Sequence, residues 1–161
     1  MAAFEYVYAT GCVHGVTADK VGEVLETIQN ANGKVTPEAL VEASRDEDSI
    51  LHGEFEWNDS VAAEKYRIDQ ARRIIMDVRI VQVDGKKEEY NVRAFVSAPG
   101  GTHEYVPIHM AIEKMDYREH LLNEAKRDMK AFISKYKRIT ELAGVVNAMA
   151  EFVQMEMDIA G

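Results

Sequence analysis

From Leu122 to Met157 apolar residues recur at steps that alternate three and four: Leu122, Ala125, Met129, Phe132, Tyr136, Ile139, Ala143, Val146, Ala150, Val153 and Met157. This is a heptad seam, and few architectures accept one. Either a single long helix lies along a partner, or the chain breaks near Lys137 to Thr140. In the second case Thr140 caps a new helix and the two halves form a helical hairpin. Leu142, Val145, Met149 and Phe152 add a second apolar stripe to the later half. A helix apolar over so much of its surface needs burial on more than one side. The expectation is self-association, or a hairpin folded onto a sheet. Leu122, Met129, Phe132, Tyr136, Ile139, Val146 and Val153 are the expected oligomerisation residues. Asp116 and Glu119 read as a capping box at its start, which sets residues 116–161 apart as a helical oligomerisation or packing segment.

The chain ahead of the seam reads as an α+β core over residues 18–115, preceded by an N-terminal arm or strand over 1–17. Phe4, Tyr6 and Tyr8 alternate in an aromatic, β-branched stretch, which suits a short strand. Thr17 can cap a helix from Ala18 to about Ala31 with Val21, Leu25 and Ile28 inward, and Asn32-Gly33 ends it. Thr36-Pro37-Glu38 places a cap before a proline at the first helical position, opening a short helix to Ser44 with Leu40, Val41 and Ala43 inward. Ile50, Leu51, Phe55 and Trp57 put large apolar area into an acidic loop and read as anchors onto the core. Asn58, Asp59 and Ser60 suit a cap for a helix to about Asp77, with Val61, Ile68, Ala71, Ile75 and Val78 on one stripe. Period two then takes over at Arg79 to Val83, Asp84-Gly85 signals a turn, and Tyr90 to Ala98 completes a hairpin. Tyr105 to Ile112 is expected to be a third strand with Pro107 near its edge.

Three helices followed by a hairpin suggest a helix-turn-helix-like region with a wing. In that reading Lys65, Arg67, Arg72, Arg73 and Arg79 would meet phosphate, joined by Lys86 and Lys87 at the wing tip. Glu64, Asp69 and Asp77 dilute that flank, and Glu88 and Glu89 oppose the tip. Charge also argues on both sides. Residues 1–59 hold 3 basic and 12 acidic side chains, residues 60–100 hold 8 and 6, and the rest hold 8 and 10. The acidity of the first third repels nucleic acid at long range and suits a basic protein partner.

Catalytic and metal chemistry find little footing. Cys12 with His14, and His103, Glu104 and His109, lack the paired spacing of a zinc site. Nothing marks a general base for Cys12. Glu54 with Glu56, and Asp59 with Glu64, are explained by helix capping and dipole effects. Phosphate-binding glycine loops and nucleophile-elbow motifs are missing. The expectation is therefore a non-enzyme without cofactor or metal. A lone cysteine cannot form an intrachain disulfide, no run of eighteen apolar residues suggests a membrane span, and the N-terminus lacks a secretory pattern.

The stretch Val35 to Ala43, then the pattern LHxxFEWNDSxAAEKYRxxQARRII from Leu51 to Ile75, resembles a family of small phage- and prophage-encoded proteins. Val92 to Val96 and Ala131-Phe132 to Tyr136 fit the same layout. The resemblance covers most of residues 18–140 and implies origin more than activity; no catalytic residue comes with it. Together these readings give a phage accessory protein that binds nucleic acid or a nucleic-acid-processing partner through its helical region. The alternative is an acidic protein-binding module, either a virion component or an inhibitor of a host protein. A homo-oligomer in the host cytoplasm is expected, with a place in the virion left open.

Overall fold

The computed structural model describes residues 4–58, 61–82, 91–100 and 103–159. The chain divides into two units, Met1–Tyr117 and Arg118–Gly161.

In the first unit, strand β1 (Phe4–Tyr8) leads into helices α1 (Ala18–Asn32), α2 (Pro37–Ala43) and α3 (Val61–Asp77). Strands β2 (Val78–Gln82), β3 (Val92–Arg93), β4 (Phe95–Ser97) and β5 (Tyr105–Pro107) follow, then helix α4 (Ile108–Glu113). One sheet runs β1-β2-β3 and a second pairs β4 with β5, all antiparallel. Val35 joins the second sheet through a reciprocal pair of backbone hydrogen bonds with Tyr105, both 2.7 Å.

Helix boundaries follow local chemistry. The Thr36 hydroxyl accepts from the Ala39 N–H at 3.1 Å, and Pro37 spends its missing donor where the helix needs none. Gly33 closes α1 at φ 75°, a left-handed conformation that costs glycine little. Thr17 occupies the cap position of α1 without a side-chain cap bond. Asp59 and Ser60, expected caps of α3, lie outside the described residues, as do Lys86, Lys87 and the Asp84-Gly85 turn.

The core is one cluster. Val21, Leu25 and Ile28 of α1 meet Leu40 and Val41 of α2, Ala71, Ile74 and Ile75 of α3, and Val78 and Phe95 of the sheets. Leu51 and Phe55 join it, and Trp57 packs against it, so these three do anchor the acidic loop, whereas Ile50 is exposed. Ala43, expected inward, is exposed; Ser44 is buried in its place, its hydroxyl donating to the Leu40 carbonyl at 2.7 Å. A buried hydroxyl with a local acceptor carries no unsatisfied polar group, so the position can turn inward.

Two sequence expectations need correction. The strand starting at Tyr105 ends at Pro107, and Ile108 to Glu113 is helix α4 with Ala111 buried. Proline cannot donate to a continuing ladder and is at home just ahead of a helix, so the chain changes structure there. Likewise the stretch from Val92 is not one strand. It breaks at Ala94, Val92 stays exposed, and both Phe95 and Val96 are buried in the second sheet. A break between sheets suspends strict alternation, which lets two adjacent side chains enter the interior.

Helix α5 (Met115–Tyr136) runs from the first unit into the second. Asp116 sits in its first turn rather than at its cap. In the second unit the helix ends ahead of Lys137–Ile139, a 3-10 turn spans Thr140–Leu142, and helix α6 covers Ala143–Ile159. The chain thus breaks at the position where a hairpin connection was expected.

Candidate functional site

The five cations expected at phosphate occupy different environments. Lys65 and Arg73 are exposed on α3. Arg67 is buried, with 3% of its side chain exposed. Its guanidinium donates to Glu64 at 3.0 and 2.8 Å and to the Glu56 carbonyl at 2.8 Å, and it lies 5.2 Å from the Trp57 ring centre. The other neighbours of Trp57 complete a stack: the His52 ring at 4.8 Å, and Arg45, itself paired with Glu42 and Glu64. The indole N–H donates to the His52 carbonyl at 2.7 Å. Arg67 is therefore a structural cation that clamps the acidic loop to α3, a correction to its expected place on a phosphate-binding face.

Arg72 pairs with Asp69 at 2.8 Å. Arg79 lies on β2, beyond the end of α3, and donates to the carbonyls of Met76 and Val78. Its cross-strand partner is Arg93. Burial, and then the like charge of Arg93, pull the Arg79 guanidinium below the usual arginine range. The expected basic flank thus reduces to Lys65 and Arg73 as exposed groups, with Arg72 shared with its own carboxylate. α2 and α3 are separated by residues 44–60, much longer than the turn of a helix-turn-helix unit.

A second cluster was not expected as a unit. His14, in the loop after β1, sits between two carboxylates: Nδ1 is 3.3 Å from Glu54 and Nε2 is 2.9 Å from Asp77. Glu54 also accepts from the Gly15 N–H at 2.7 Å. The Tyr8 ring lies 4.5 Å from the imidazole, and its hydroxyl donates to the Val16 carbonyl at 2.6 Å. A neutral imidazole has one N–H, so only the imidazolium can donate to both carboxylates. The cluster staples the loop, the 3-10 turn His52–Glu54 and the C-terminal end of α3 together. Sequence offered no signal for it, because His14, Glu54 and Asp77 are far apart in the chain.

Cys12 hydrogen-bonds to Asp77, and that bond, followed by burial, pushes its thiol up from the ordinary cysteine value. An activated nucleophile needs the opposite shift and a base beside it. Here the neighbouring carboxylate holds the proton on sulfur. Among the described residues no group of three or more His, Cys, Asp or Glu side chains is arranged to hold a metal ion. His103 takes φ 69° in an exposed loop and His109 is exposed on α4.

The seam of the second unit is partly covered in the single chain. α5 has no buried side chain. Leu122 is 39% exposed, Ile139 42% and Val145 48%, while Met129, Phe132, Tyr136 and Val153 are half-buried. Phe132 and Tyr136 meet ring to ring at 4.7 Å. Val146 alone of the expected oligomerisation residues is buried. No helix among the described residues is long and apolar enough to cross a membrane. No family model, curated protein or solved structure matches this chain.

Proposed function

We propose that the chain is a non-enzymatic, self-associating accessory protein of the phage kind, whose working contacts are with protein. The partly covered seam of α5 and α6 carries this reading: of its large apolar side chains Leu122 and Ile139 are exposed and Met129, Phe132, Tyr136 and Val153 half-buried, a state that association relieves. The charge of the first unit supports a basic protein partner as the second contact. Its exposed carboxylates on α1 (Asp19, Glu23, Glu26) and around α2 (Glu38, Glu42, Asp46) outnumber the neighbouring cations. The host cytoplasm or the virion is where such a protein would work.

Nucleic-acid binding through α3 has less support, since Arg67 is buried and Arg72 is shared with Asp69. The two readings part in a titration of labelled duplex and single-stranded DNA at low ionic strength. The protein reading expects no saturable binding. Binding that falls steeply with salt, and that weakens on Lys65→Ala and Arg73→Ala substitution, overturns it.

A further inference from the structure

The His14 cluster sets out more hydrogen-bond acceptors than a neutral ring can serve. Nδ1 lies 3.3 Å from Glu54 Oε2, and Nε2 lies 2.9 Å from Asp77 Oδ2. An imidazolium donates to both. A neutral imidazole carries one N–H, and its other nitrogen turns a lone pair toward a carboxylate oxygen at the same distance. Losing the proton therefore does more than remove one bond, because it sets acceptor against acceptor. Little solvent reaches the site to mediate: the side chains of His14, Glu54 and Asp77 are 13%, 12% and 26% exposed. Each carboxylate has a second donor from the same loop, the Gly15 N–H on Glu54 at 2.7 Å and the Cys12 thiol on Asp77. Tyr8 on β1 faces the ring, and Arg79 on β2 lies near Asp77 and Cys12. Burial first, then the charges of Glu54 and Asp77, push the Tyr8 hydroxyl up to about 12. The bond to Asp77 pushes the Cys12 thiol up as well. Histidine is the side-chain type that changes charge between about pH 5 and 8.

We infer that His14 is a pH-sensitive latch: protonated, it holds the loop between β1 and α1 against the 3-10 turn His52–Glu54 and the end of α3, and on losing its proton it releases that loop. The movement has fixed limits. The Ala9 N–H donates to the Asp77 carbonyl at 2.8 Å, and the Tyr8 hydroxyl donates to the Val16 carbonyl at 2.6 Å. Neither bond involves the imidazole, so β1 and the start of α1 keep their places and the change is confined to residues 10–15. Release also takes the imidazolium's counter-charge from Glu54 and Asp77. The first unit therefore grows more acidic as the loop opens.

The test uses the full chain and reads the protection of the Gly15 N–H against hydrogen exchange, each rate divided by the intrinsic rate at that pH. In the unaltered chain protection is expected to fall about tenfold or more between about pH 5.5 and about pH 8.5, the range over which histidine loses its charge. A level protection over that range overturns the latch. Glu54→Gln separates a latch from a simple ion-pair staple. Its amide oxygen can accept from the Gly15 N–H where Oε1 does now, and its NH2 can donate to the Nδ1 lone pair where Oε2 stands now. That variant should stay protected at both pH values although it has lost an ion pair. A Glu54→Gln chain that is unprotected at about pH 8.5 overturns the acceptor conflict as the cause. His14→Gln cannot donate at both positions and is expected to be unprotected throughout; protection equal to that of the unaltered chain in acid overturns the need for an imidazolium. A second measurement needs no variant. Nitrogen-15 signals of the His14 ring should report two N–H groups in acid and one at higher pH, with the amide signals of residues 10–15 moving at the same midpoint. Loop amides that do not follow the ring, or a ring with one N–H in a closed loop, overturn the latch.

Discussion

Arg67 holds its charge inside the protein, so its contribution should appear in stability and not in ligand affinity. It satisfies the Glu56 carbonyl, pairs with Glu64 and lies against Trp57 at the same time. Removing one partner of such an arrangement leaves the others desolvated and unpaired, which costs about 3–5 kcal/mol when both partners are buried. Glu64 is 42% exposed and can recover solvent, so we expect about 2–4 kcal/mol for Arg67→Ala, read from urea unfolding. Arg67→Lys should restore little, because an ammonium cannot reproduce the planar fork that meets Glu64 and a carbonyl together. A change below about 0.5 kcal/mol would contradict the buried clamp. Tyr8 supplies a pH dependence. Burial first, then the charges of Glu54 and Asp77, push its hydroxyl up to about 12 from an ordinary value of 10.0. The folded state keeps the proton where the unfolded chain loses it. The stability that Tyr8 contributes is therefore complete below pH about 10 and is lost as pH rises through about 12. Thermal unfolding followed from pH 9 to 12 should show this decline, and Tyr8→Phe should flatten it. At this scale the sequence told least: a buried arginine and a histidine between two carboxylates arise from tertiary placement, and an arginine in an acidic neighbourhood reads equally as a phosphate contact or a clamp.

Among the elements, the meeting of α1 with β1 turns on one glycine. A Cβ at Gly22 would stand 2.1 Å from the Tyr6 ring, with two more ring atoms within 2.6 Å. Overpacking of this kind costs about 1–3 kcal/mol, against the gain of about 1 kcal/mol that alanine brings to a helix interior. Gly22→Ala should therefore lower the denaturation midpoint. In a Tyr6→Ala background, where the ring is gone, the same substitution should be neutral or stabilising; a loss in both backgrounds would contradict close approach as the cause. Tyr6 also ties the edge of the sheet to α1: its N–H faces the Asp19 carboxylate at 3.3 Å and its hydroxyl donates to Glu26 at 2.6 Å. An outward N–H on an edge strand that already has an acceptor is less open to another strand. Element boundaries set by local chemistry were legible: Thr36-Pro37 opened α2, Gly33 closed α1 and α3 ended at Asp77, whereas the break after Tyr136 was one of two readings that the spacing left open. Those set by which sheet a strand joins were not. Ala94 gives no local sign that the chain changes sheets, and the Tyr105 to Ile112 stretch reads as a strand until Pro107 denies it a ladder bond.

At the level of the whole molecule, the chain joins an acidic first unit to a second unit whose two helices are each amphipathic and each incompletely covered. The α+β character and the helical C-terminal segment could be read from periodicity alone. The seam spacing could not say whether its partner lay in the same chain, because an intramolecular hairpin and an association between copies draw on the same apolar residues. Association is therefore where the function we propose is most exposed to test. Light scattering or sedimentation equilibrium on the full chain, compared with a Phe132→Glu, Val153→Glu variant, measures it directly. Our account predicts a mass of at least two chains at micromolar concentration for the unaltered protein and of one chain for the variant. A single-chain mass for the unaltered protein at hundreds of micromolar, with native circular dichroism, would contradict it.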